Sequence, residues 1–495
     1  MIHLDGRTLE GGGQLVRNAI ALSALTGKSI TISHIRGNRH GKTGLKGSHA
    51  AAIKFLVEIC QGEIVGGEIG SQTLTFYPRG QPQDDEEENQ TQPLLNLTLA
   101  NGELPKIKSR YTINQSTAGS IFLIFQALYP YLVYAGSLSN NLDAAIELNV
   151  TGGTNVTCAP SFDYIEQVLV PNLRKIGLPE LSIKLRKRGW STGPVDLGAV
   201  TFQIHPLGSN SPTDMQDESI GGFPALNLSQ YRRGPVTKID ITILAPDKDL
   251  RDKQAQGNRK DRRKAGNELD DAFPKISIRE YLEEQTERRL RRAMERLPSD
   301  IITQRSTSND AEDDEIMPIE VRTSEGTLHH THLYILLVAH MSSGFTIGAD
   351  ALFDGFKDRG SKRGSGKHGG AGRHRGDRDG NSIISTLDEL ADSCVNSLME
   401  ELHGSSDSSA KHQSYVDVHM RDQLVIFDAL GSLERQAAGH AANISSEEDE
   451  RYWSLHTRTA RWVCEQILGP DVWDKRHTSL HDSKQQHVVG KPFIN

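Results

Sequence analysis

The sequence of 495 residues has only four cysteines and no apolar run long enough to cross a membrane. The cysteines are far apart and form no C-x-x-C pair, which argues against structural zinc and indicates a reduced intracellular protein. His3 and Asp5 interrupt the apolar start of the chain at once, so we expect no signal peptide. Apolar residues make up only 36% of the chain, so we expect part of its length to be unstructured insertion.

Four segments of strongly biased composition are predicted to be inserted surface loops without fixed structure. Each combines charged or small residues with almost no apolar side chains, so it cannot bury enough surface to offset the entropy of ordering. The segments comprise residues 81–92, 247–271, 357–380 and 445–450. The third is rich in glycine, arginine, lysine and histidine, which suits either a solvated linker or an electrostatic contact with RNA.

Residues 10–17 read E-G-G-G-Q-L-V-R and form the most informative stretch of the chain. Three consecutive glycines allow positive φ and a close approach to a ligand, and an apolar pattern with helical spacing follows at once. A glycine loop that opens a helix presents free N–H groups to a phosphate, and Arg17 would add a cation one turn later. A tight turn that happens to contain glycines is the alternative, because no G-K-[ST] follows and the stretch is not a Walker motif.

Strands and helices alternate along the first part of the chain in an order that recurs. The first block reads strand, glycine loop, helix, strand, loop, helix and strand, with helices predicted at 15–25 and 49–61. The second block repeats this order, with helices predicted at 118–129 and 162–176. Pro130 is predicted to end the first of these two helices, because proline lacks the N–H that a helix needs.

A small α+β unit is predicted after the second block. It would contain strands at 200–204 and 236–244 and a helix that starts with a capping box formed by Ser277 and Glu280 and stops at Pro298. The many arginines of this helix suit either a nucleic-acid contact or simple solubility with i,i+4 pairs to glutamates.

A third pass of the repeat is predicted from a strand at 333–339 through a helix at 385–402 to the C-terminus. Together these patterns predict a mixed α/β (α+β) fold of tandem repeats with helices packed on sheets, plus a smaller inserted α+β domain.

His456 lies in the segment S-L-H-T-R-T-A, at the start of a helix for which Thr457 is predicted to be the N-cap. The dipole at a helix N-terminus disfavours the imidazolium and keeps the ring neutral. A neutral imidazole is a competent nucleophile toward phosphorus. Most of the nineteen histidines must be incidental, so a structural role is the alternative.

Asp422 adjoins a strongly apolar run, where its carboxylate would orient a ribose, a metal or an imidazole. An exposed acid in a turn is the alternative.

A glycine-rich loop between a strand and a helix carries four cationic side chains in or beside it, namely Arg36, Arg39, Lys42 and Lys46. Arginine forks bind phosphate in a bidentate manner, so we interpret the loop as a phosphate pocket rather than an ordinary solvated loop.

Six segments, in order along the chain, resemble the RNA 3′-terminal phosphate cyclase family. They are L-D-G…E-G-G-G-Q…R, I-R-G-N-R…G-L…H, T-A-G-S with Gln126, G-G-T-N…A-P…D-Y, D-Q-L and L-H-T-x-T-A, and they extend from residue 2 to about residue 468. The resemblance implies three tandem βαβαββ-type repeats. The first two would occupy residues 1–185 and the third residues 331–495, with the inserted domain in residues 186–330.

The resemblance also implies the ATP-dependent conversion of an RNA 3′-phosphate to a 2′,3′-cyclic phosphate, through a covalent histidyl-AMP and an RNA-adenylate. The residues implied to bind ATP are Gln126, Pro160, His419, Asp422, Gln423 and His456, with His456 as the nucleophile. Phosphates of the RNA would contact Arg17, Arg36 and Arg39, and Glu10 would bind Mg²⁺ or Mn²⁺. Such a protein would act on RNA in the nucleus, or otherwise in the cytoplasm, and the long insertions are typical of a eukaryotic member.

Some positions depart from the family pattern. His419 stands where members of the family usually have tyrosine, which affects the stacking expected on adenine. The main alternative is the related cyclase-like protein of ribosome biogenesis, which shares the fold, takes part in pre-ribosomal RNA processing and lacks the nucleophilic histidine. A carboxyvinyl transferase uses similar repeats but needs a phosphosugar-binding pattern of lysines and arginines that this sequence does not show.

Overall fold

The computed structural model shows three four-stranded β-sheets with helices packed against them in the part of the chain that it describes. The described residues are 1–39, 41–81, 94–99, 101–139, 145–208, 222–224, 226, 231–250, 276–298, 301–302, 317–354, 380–403, 414–437 and 453–473. The predicted mixed α/β class is confirmed.

The first sheet carries the glycine loop between its first strand and first helix. Its elements are β1 (Ile2–Asp5), α1 (Gly13–Thr26), β2 (Ile30–Ser33), α2 (Gly47–Cys60), β3 (Glu63–Val65) and β4 (Leu74–Tyr77). The strands lie in the order β1-β2-β4-β3, with β1 and β2 parallel and the other pairs antiparallel. As predicted, α1 starts directly at the glycines. Its C-cap is Gly27, whose φ of 68° suits a helix C-terminus.

The second sheet repeats this topology. Its elements are β5 (Arg110–Asn114), α3 (Ile121–Ser137), β6 (Ile146–Gly152), α4 (Phe162–Tyr164) continuing through a π-helical turn (Ile165–Leu169) into α5 (Val170–Lys175), β7 (Leu181–Lys187) and β8 (Gly198–Ile204). The order β5-β6-β8-β7 matches that of the first sheet strand for strand. The predicted recurrence of one supersecondary unit is therefore confirmed for these two blocks.

Helix α3 does not stop at Pro130, as the sequence predicted, but continues to Ser137. It begins at Ile121, where the hydroxyl of Ser120 accepts a hydrogen bond from the backbone N–H of Leu123. The helix is packed between α1, α2 and α8 on one side and β6 and β8 on the other. Burial on almost every face outweighs the one backbone hydrogen bond that proline removes, so the local rule is overridden.

The third sheet has a different chain order. Its elements are β9 (Val236–Pro246), α6 (Ile278–Met294), β10 (Ile319–Thr327), β11 (Tyr334–Met341), β12 (Thr346–Leu352) and α7 (Gly380–His403). The strands lie in the order β10-β9-β11-β12, and α6 and α7 pack on this sheet and on each other. The predicted capping box of α6 is confirmed.

Two strand placements predicted from the sequence are wrong. The strand predicted at 200–204 is β8, which pairs with β6 and β7 and so belongs to the second repeat rather than to the inserted unit. The strand predicted at 333–339 is β11, which pairs with β9 and so is not the start of another repeat of the first kind. The sheets therefore cross both predicted boundaries, after residue 185 and after residue 330, because local patterns do not specify which strands pair.

The predicted insertions fall largely on residues that the structure does not describe, namely 82–92, 251–271, 357–379 and 445–450. Within the described ranges, every helix is too short or too polar to span a lipid bilayer.

Two C-terminal helices bring the end of the described chain against its beginning. Helix α8 (Val418–Ala437) and helix α9 (Leu455–Leu468) pack on each other, and α9 also packs along α1. The backbone N–H of Glu10 donates to the hydroxyl of Thr459 over 3.2 Å, and the ammonium of Lys28 donates to the carbonyl of Ile467 over 2.9 Å. The glycine loop and the N-terminus of α9 are therefore held side by side.

Arg188 joins the second repeat to the third sheet. Its guanidinium donates two hydrogen bonds to the carboxylate of Asp163, at 2.8 and 3.0 Å, and one to Glu325 of β10 at 2.8 Å. The side chains of Arg188 and Asp163 are only 10% and 2% exposed. Because removing one partner would leave a buried unpaired charge, we expect Arg188→Met to lower the free energy of unfolding by about 3 kcal/mol.

Urea unfolding followed by circular dichroism measures this loss, with Arg186→Met as the matched control. Arg186 is exposed, and among the residues that the structure describes it donates a hydrogen bond only to the hydroxyl of Thr201 in the second sheet. Equal losses in the two variants would contradict the role given to the buried pair.

Candidate functional site

The glycine loop is shaped around the carboxylate of Glu10. Gly11 has a φ of 60°, and a β-carbon on Gly12 would lie 2.1 Å from Oε1 of Glu10, so no larger residue fits there without displacing that carboxylate. The Glu10 side chain is only 7% exposed and forms an ion pair with Arg39 through Oε1. Its other oxygen, Oε2, is buried without a hydrogen-bond partner. A buried carboxylate oxygen left unsatisfied is costly and marks a position suited to a ligand.

His456 projects from the first turn of α9 toward this loop. The N-cap is Ser454, whose hydroxyl accepts from the backbone N–H of Thr457, so the prediction of Thr457 as the cap is wrong by three residues. Nδ1 of His456 lies 2.9 Å from Oε1 of Gln14 and 3.4 Å from Oε2 of Glu10. The imidazole is thus fixed on one side by α1, while 44% of the side chain stays accessible.

The surroundings keep His456 neutral at pH 7. Burial lowers the pKa of His456, Asp422 opposes this shift, and the nearby guanidinium groups of Arg39 and Arg17 reinforce it. The positive end of the α9 dipole acts in the same direction. The ring is therefore a neutral, partly accessible imidazole, which is the form that can act as a nucleophile.

Asp422 lies in α8 and is only 7% exposed, so the alternative of an exposed acid in a turn is wrong. Its Oδ1 accepts hydrogen bonds from the hydroxyls of Ser454 at 2.7 Å and Thr457 at 2.5 Å, and its backbone carbonyl accepts from Nε2 of Gln14 at 3.3 Å. Burial raises the pKa of Asp422, while the two hydroxyl hydrogen bonds lower it. The carboxylate thus holds the first turn of α9, and with it His456, in place.

A group of cationic side chains flanks the glycine loop. Arg36 is only 9% exposed, has a φ of 58° and donates to the carbonyl of Lys42 at 2.8 Å. Burial lowers the pKa of Arg17 to about 10, and Asp422 opposes that shift. Within the described chain, no carboxylate lies within ion-pair distance of Arg17 or Arg36. Both arginines therefore keep their charge available for an anion.

His49 lies in the middle of this cationic group and is buried. Its pKa is lowered to about 3, chiefly by burial and also by the positive charges of Arg17, Arg36 and Lys46. A β-carbon on Gly13 would lie 2.6 Å from Nε2 of His49, so the third glycine of the loop makes room for this ring. The neutral imidazole fills the space between the cations without adding another charge.

The remaining residues predicted to contact the nucleotide lie on α3, on α8 and in the loop before α4. Gln126 of α3 has both atoms of its side-chain amide buried without a hydrogen-bond partner. Pro160 is half-buried in the loop that precedes α4, and Gln423 is half-buried next to Asp422. His419 is exposed at the start of α8, with its ring edge-on to that of Tyr164 at 6.4 Å.

The structure brings Glu10, Arg17, Arg39, Asp422 and His456 into one cluster. Within the described residues no hydrogen bond or ion pair joins Gln126 or Pro160 to this cluster, and the functional roles of all these residues stay predictions. Gln14 belongs to the loop motif E-G-G-G-Q but no role was predicted for it, and Ser454 was not predicted as a site residue. Gln14 could have been singled out from the sequence, because it is a polar residue on the predicted buried face of α1, directly after three glycines.

The described residues contain no group of three or more His, Cys, Asp and Glu side chains able to hold a metal ion. A cation at Glu10 would therefore need further ligands from outside the described protein groups.

Comparison with known proteins gives one consistent match. The model of a family described as RNA 3′-terminal phosphate cyclase matches residues 8–472. A protein of Methanococcoides burtonii with the name RNA 3′-terminal phosphate cyclase is 36% identical over 206 residues, which cover 42% of this chain and 51% of that protein. A protein of Pyrococcus furiosus with the same name is 39% identical over 189 residues, covering 38% of this chain and 45% of that protein. The chain spans about half the length of the curated relatives it matches.

Proposed function

This chain belongs to the RNA 3′-terminal phosphate cyclase family, and we propose that it converts an RNA 3′-phosphate end to a 2′,3′-cyclic phosphate, with ATP consumed and AMP and diphosphate released. The observation that carries the proposal is His456, neutral and partly accessible at a helix N-terminus, beside a glycine loop and cations without carboxylate partners. A nucleophile next to an anion site is what transfer of an adenylyl group needs.

The first step is attack by Nε2 of His456 on the α-phosphorus of ATP. The lone pair of Nε2 forms the N–P bond, the bond to the bridging oxygen breaks, and diphosphate leaves with that electron pair. The proton on Nδ1 stays in place, so the product is a histidyl-AMP whose ring charge faces Glu10 and the amide oxygen of Gln14. Splitting the reaction in this way replaces one difficult displacement by easier ones.

The second and third steps use the cationic group. An oxygen of the RNA 3′-phosphate attacks the adenylyl phosphorus and His456 leaves, which gives an RNA-adenylate. The vicinal 2′-OH then attacks the terminal RNA phosphorus, forms the cyclic ester and releases AMP. Arg17, Arg36 and Arg39 would bind the RNA phosphates, because they surround the glycine loop and two of them carry no carboxylate partner.

Nucleotide recognition would also involve residues on α3, on α8 and in the loop before α4. The unsatisfied amide of Gln126 can both donate to and accept from a bound nucleotide, which supports its predicted role. Asp422 and Gln423 lie next to each other on α8, close to the nucleophile, and Pro160 and His419 offer flat surfaces for a base.

A divalent cation fits at Glu10. The buried Oε2 without a partner would become a ligand, and the nucleotide phosphates and water would supply the others, as is typical of Mg²⁺. Such an ion, Mg²⁺ or Mn²⁺, would offset the charge of the triphosphate.

The test is incubation with ATP and a short RNA that carries a 3′-phosphate, followed by analysis of the end group. We expect a product that resists phosphatase and releases a 2′,3′-cyclic nucleotide on digestion, and no such product when ATP is left out or the RNA ends in a 3′-OH. An RNA end left unchanged by correctly folded protein would exclude the enzymatic activity and favour a non-catalytic role in ribosome biogenesis. A nuclear site of action belongs to the same proposal and is tested by cell fractionation.

A further inference from the structure

Gln14 makes the shortest contact to the proposed nucleophile. Its Oε1 lies 2.9 Å from Nδ1 of His456, within hydrogen-bond range, whereas the nearest oxygen of Glu10 lies at 3.4 Å. Gln14 is only 4% exposed and projects from the buried face of α1 directly after the glycine loop. This side chain is therefore positioned by the loop that also shapes Glu10.

The direction of this hydrogen bond follows from the other end of the same amide. Nε2 of Gln14 lies 3.3 Å from the backbone carbonyl of Asp422, and a carbonyl oxygen can only accept a hydrogen bond. The nitrogen of the amide must therefore face Asp422, so that the oxygen faces His456. Since an amide oxygen cannot donate, Nδ1 of His456 must carry the proton.

We infer that Gln14 is a positioning residue that holds His456 in the Nδ1–H tautomer and aims the lone pair of Nε2 at the phosphorus to be attacked. The inference rests on the proposed function and adds a residue to which that function had given no role of its own. Glutamine suits this task because it accepts a hydrogen bond without bringing a negative charge. A carboxylate in the same place would favour the imidazolium, which has no lone pair to offer.

Glu10 does not replace Gln14 in this arrangement. Its Oε1 is engaged by Arg39, and its Oε2 lies farther from Nδ1 and is the atom suited to a cation. The carboxylate of Asp422 is taken up by two hydroxyls of α9. Among the described residues, Gln14 is thus the one neutral acceptor within hydrogen-bond distance of Nδ1.

The experiment compares wild type with Gln14→Met, which keeps the length of the side chain and removes the acceptor. Transfer of labelled AMP from ATP to the protein is measured in a single turnover over a range of ATP concentrations. We expect the maximal rate to fall about 10-fold to 100-fold, because Nδ1–H loses its partner and the ring loses its orientation. The ATP concentration at half-maximal rate should change by no more than about twofold, since Gln14 acts through His456.

A second readout is spectroscopic. In the full chain labelled with ¹⁵N-histidine, the wild-type His456 ring should show a protonated Nδ1 and an unprotonated Nε2, and Gln14→Met should show a mixture of tautomers. Gln285→Met is the matched control, because Gln285 is also a buried helical glutamine and bonds Arg289 away from this site. The control should keep both the wild-type rate and the wild-type spectrum.

The outcomes separate the two proposals. A wild-type protein that forms no AMP adduct would overturn the proposed function, while its ¹⁵N spectrum would still decide the tautomer. A wild-type ring protonated on Nε2 would overturn the role of Gln14, and so would a Gln14→Met variant with unchanged spectrum and rate. If Gln14→Met fails to fold, the wild-type spectrum alone decides.

Discussion

Replacing His456 with asparagine is expected to abolish the covalent AMP adduct and to slow cyclisation at least about 10³-fold. The amide nitrogen of asparagine has no available lone pair, so the adenylyl group has no nucleophile to join. The packing of α9 should survive, because its N-terminus is fixed by Ser454, Thr457 and Asp422 rather than by the imidazole. Loss of activity would then reflect lost chemistry and not lost structure.

The measurement is incubation with ATP labelled at the α-phosphate, followed by denaturing electrophoresis. In the wild type, the adduct should be labile in acid and stable in base, as a phosphoramidate is. His205→Asn is the control. His205 is also half-buried, but it directly follows β8 of the second sheet and is not part of the candidate site. A labelled band that persists in His456→Asn would assign the nucleophile to another residue.

Acidification is expected to destabilise the protein through His49. The folded protein holds this ring neutral, with a pKa of about 3, whereas the ordinary value for histidine is 6.5. Below pH 6.5 His49 therefore binds a proton in the unfolded chain but not in the folded one. This contribution to stability is fully present above pH 6.5 and is lost progressively as the pH falls toward 3, to a total of about 4 kcal/mol.

Urea unfolding at a series of pH values tests this expectation, with His49→Gln as the comparison. Glutamine keeps a neutral polar side chain but cannot take up the proton. The free energy of unfolding of the wild type should therefore fall relative to that of His49→Gln as the pH falls from 7 to 4. Parallel pH profiles for wild type and His49→Gln would show that His49 is not the titrating group.

Much of the fold was predictable because it depends on local sequence patterns. The apolar spacing of α1 and α2 and the capping box of Ser277 each act within a few residues, and each prediction is confirmed. The length of α3 was not predictable, because its continuation past Pro130 depends on helices and strands that pack around it. Nor was the pairing of β8 and β11, because strand order is a property of the sheet and not of the strand.

The candidate site divides in the same way. A glycine loop before a helix and a histidine at a helix N-terminus are visible in the sequence, and the structure places Glu10, Arg39 and His456 together. The hydrogen bond between Gln14 and His456 joins residues 442 positions apart, and no local pattern predicts such a meeting. The resemblance to a family supplied roles for Gln126 and Pro160 that their own surroundings in the sequence do not indicate.

The hydrogen bond between the N–H of Glu10 and Thr459 spans 449 positions and has a consequence for synthesis on the ribosome. At typical rates of translation, about 20 to 90 s pass between the emergence of the glycine loop and that of α9. Under the proposed function, the nascent chain would carry the glycine loop throughout that time without the proposed nucleophile, so it could not become adenylylated. Labelling by ATP would therefore detect only molecules whose synthesis has passed residue 459. A chain that stalls earlier would form no AMP adduct.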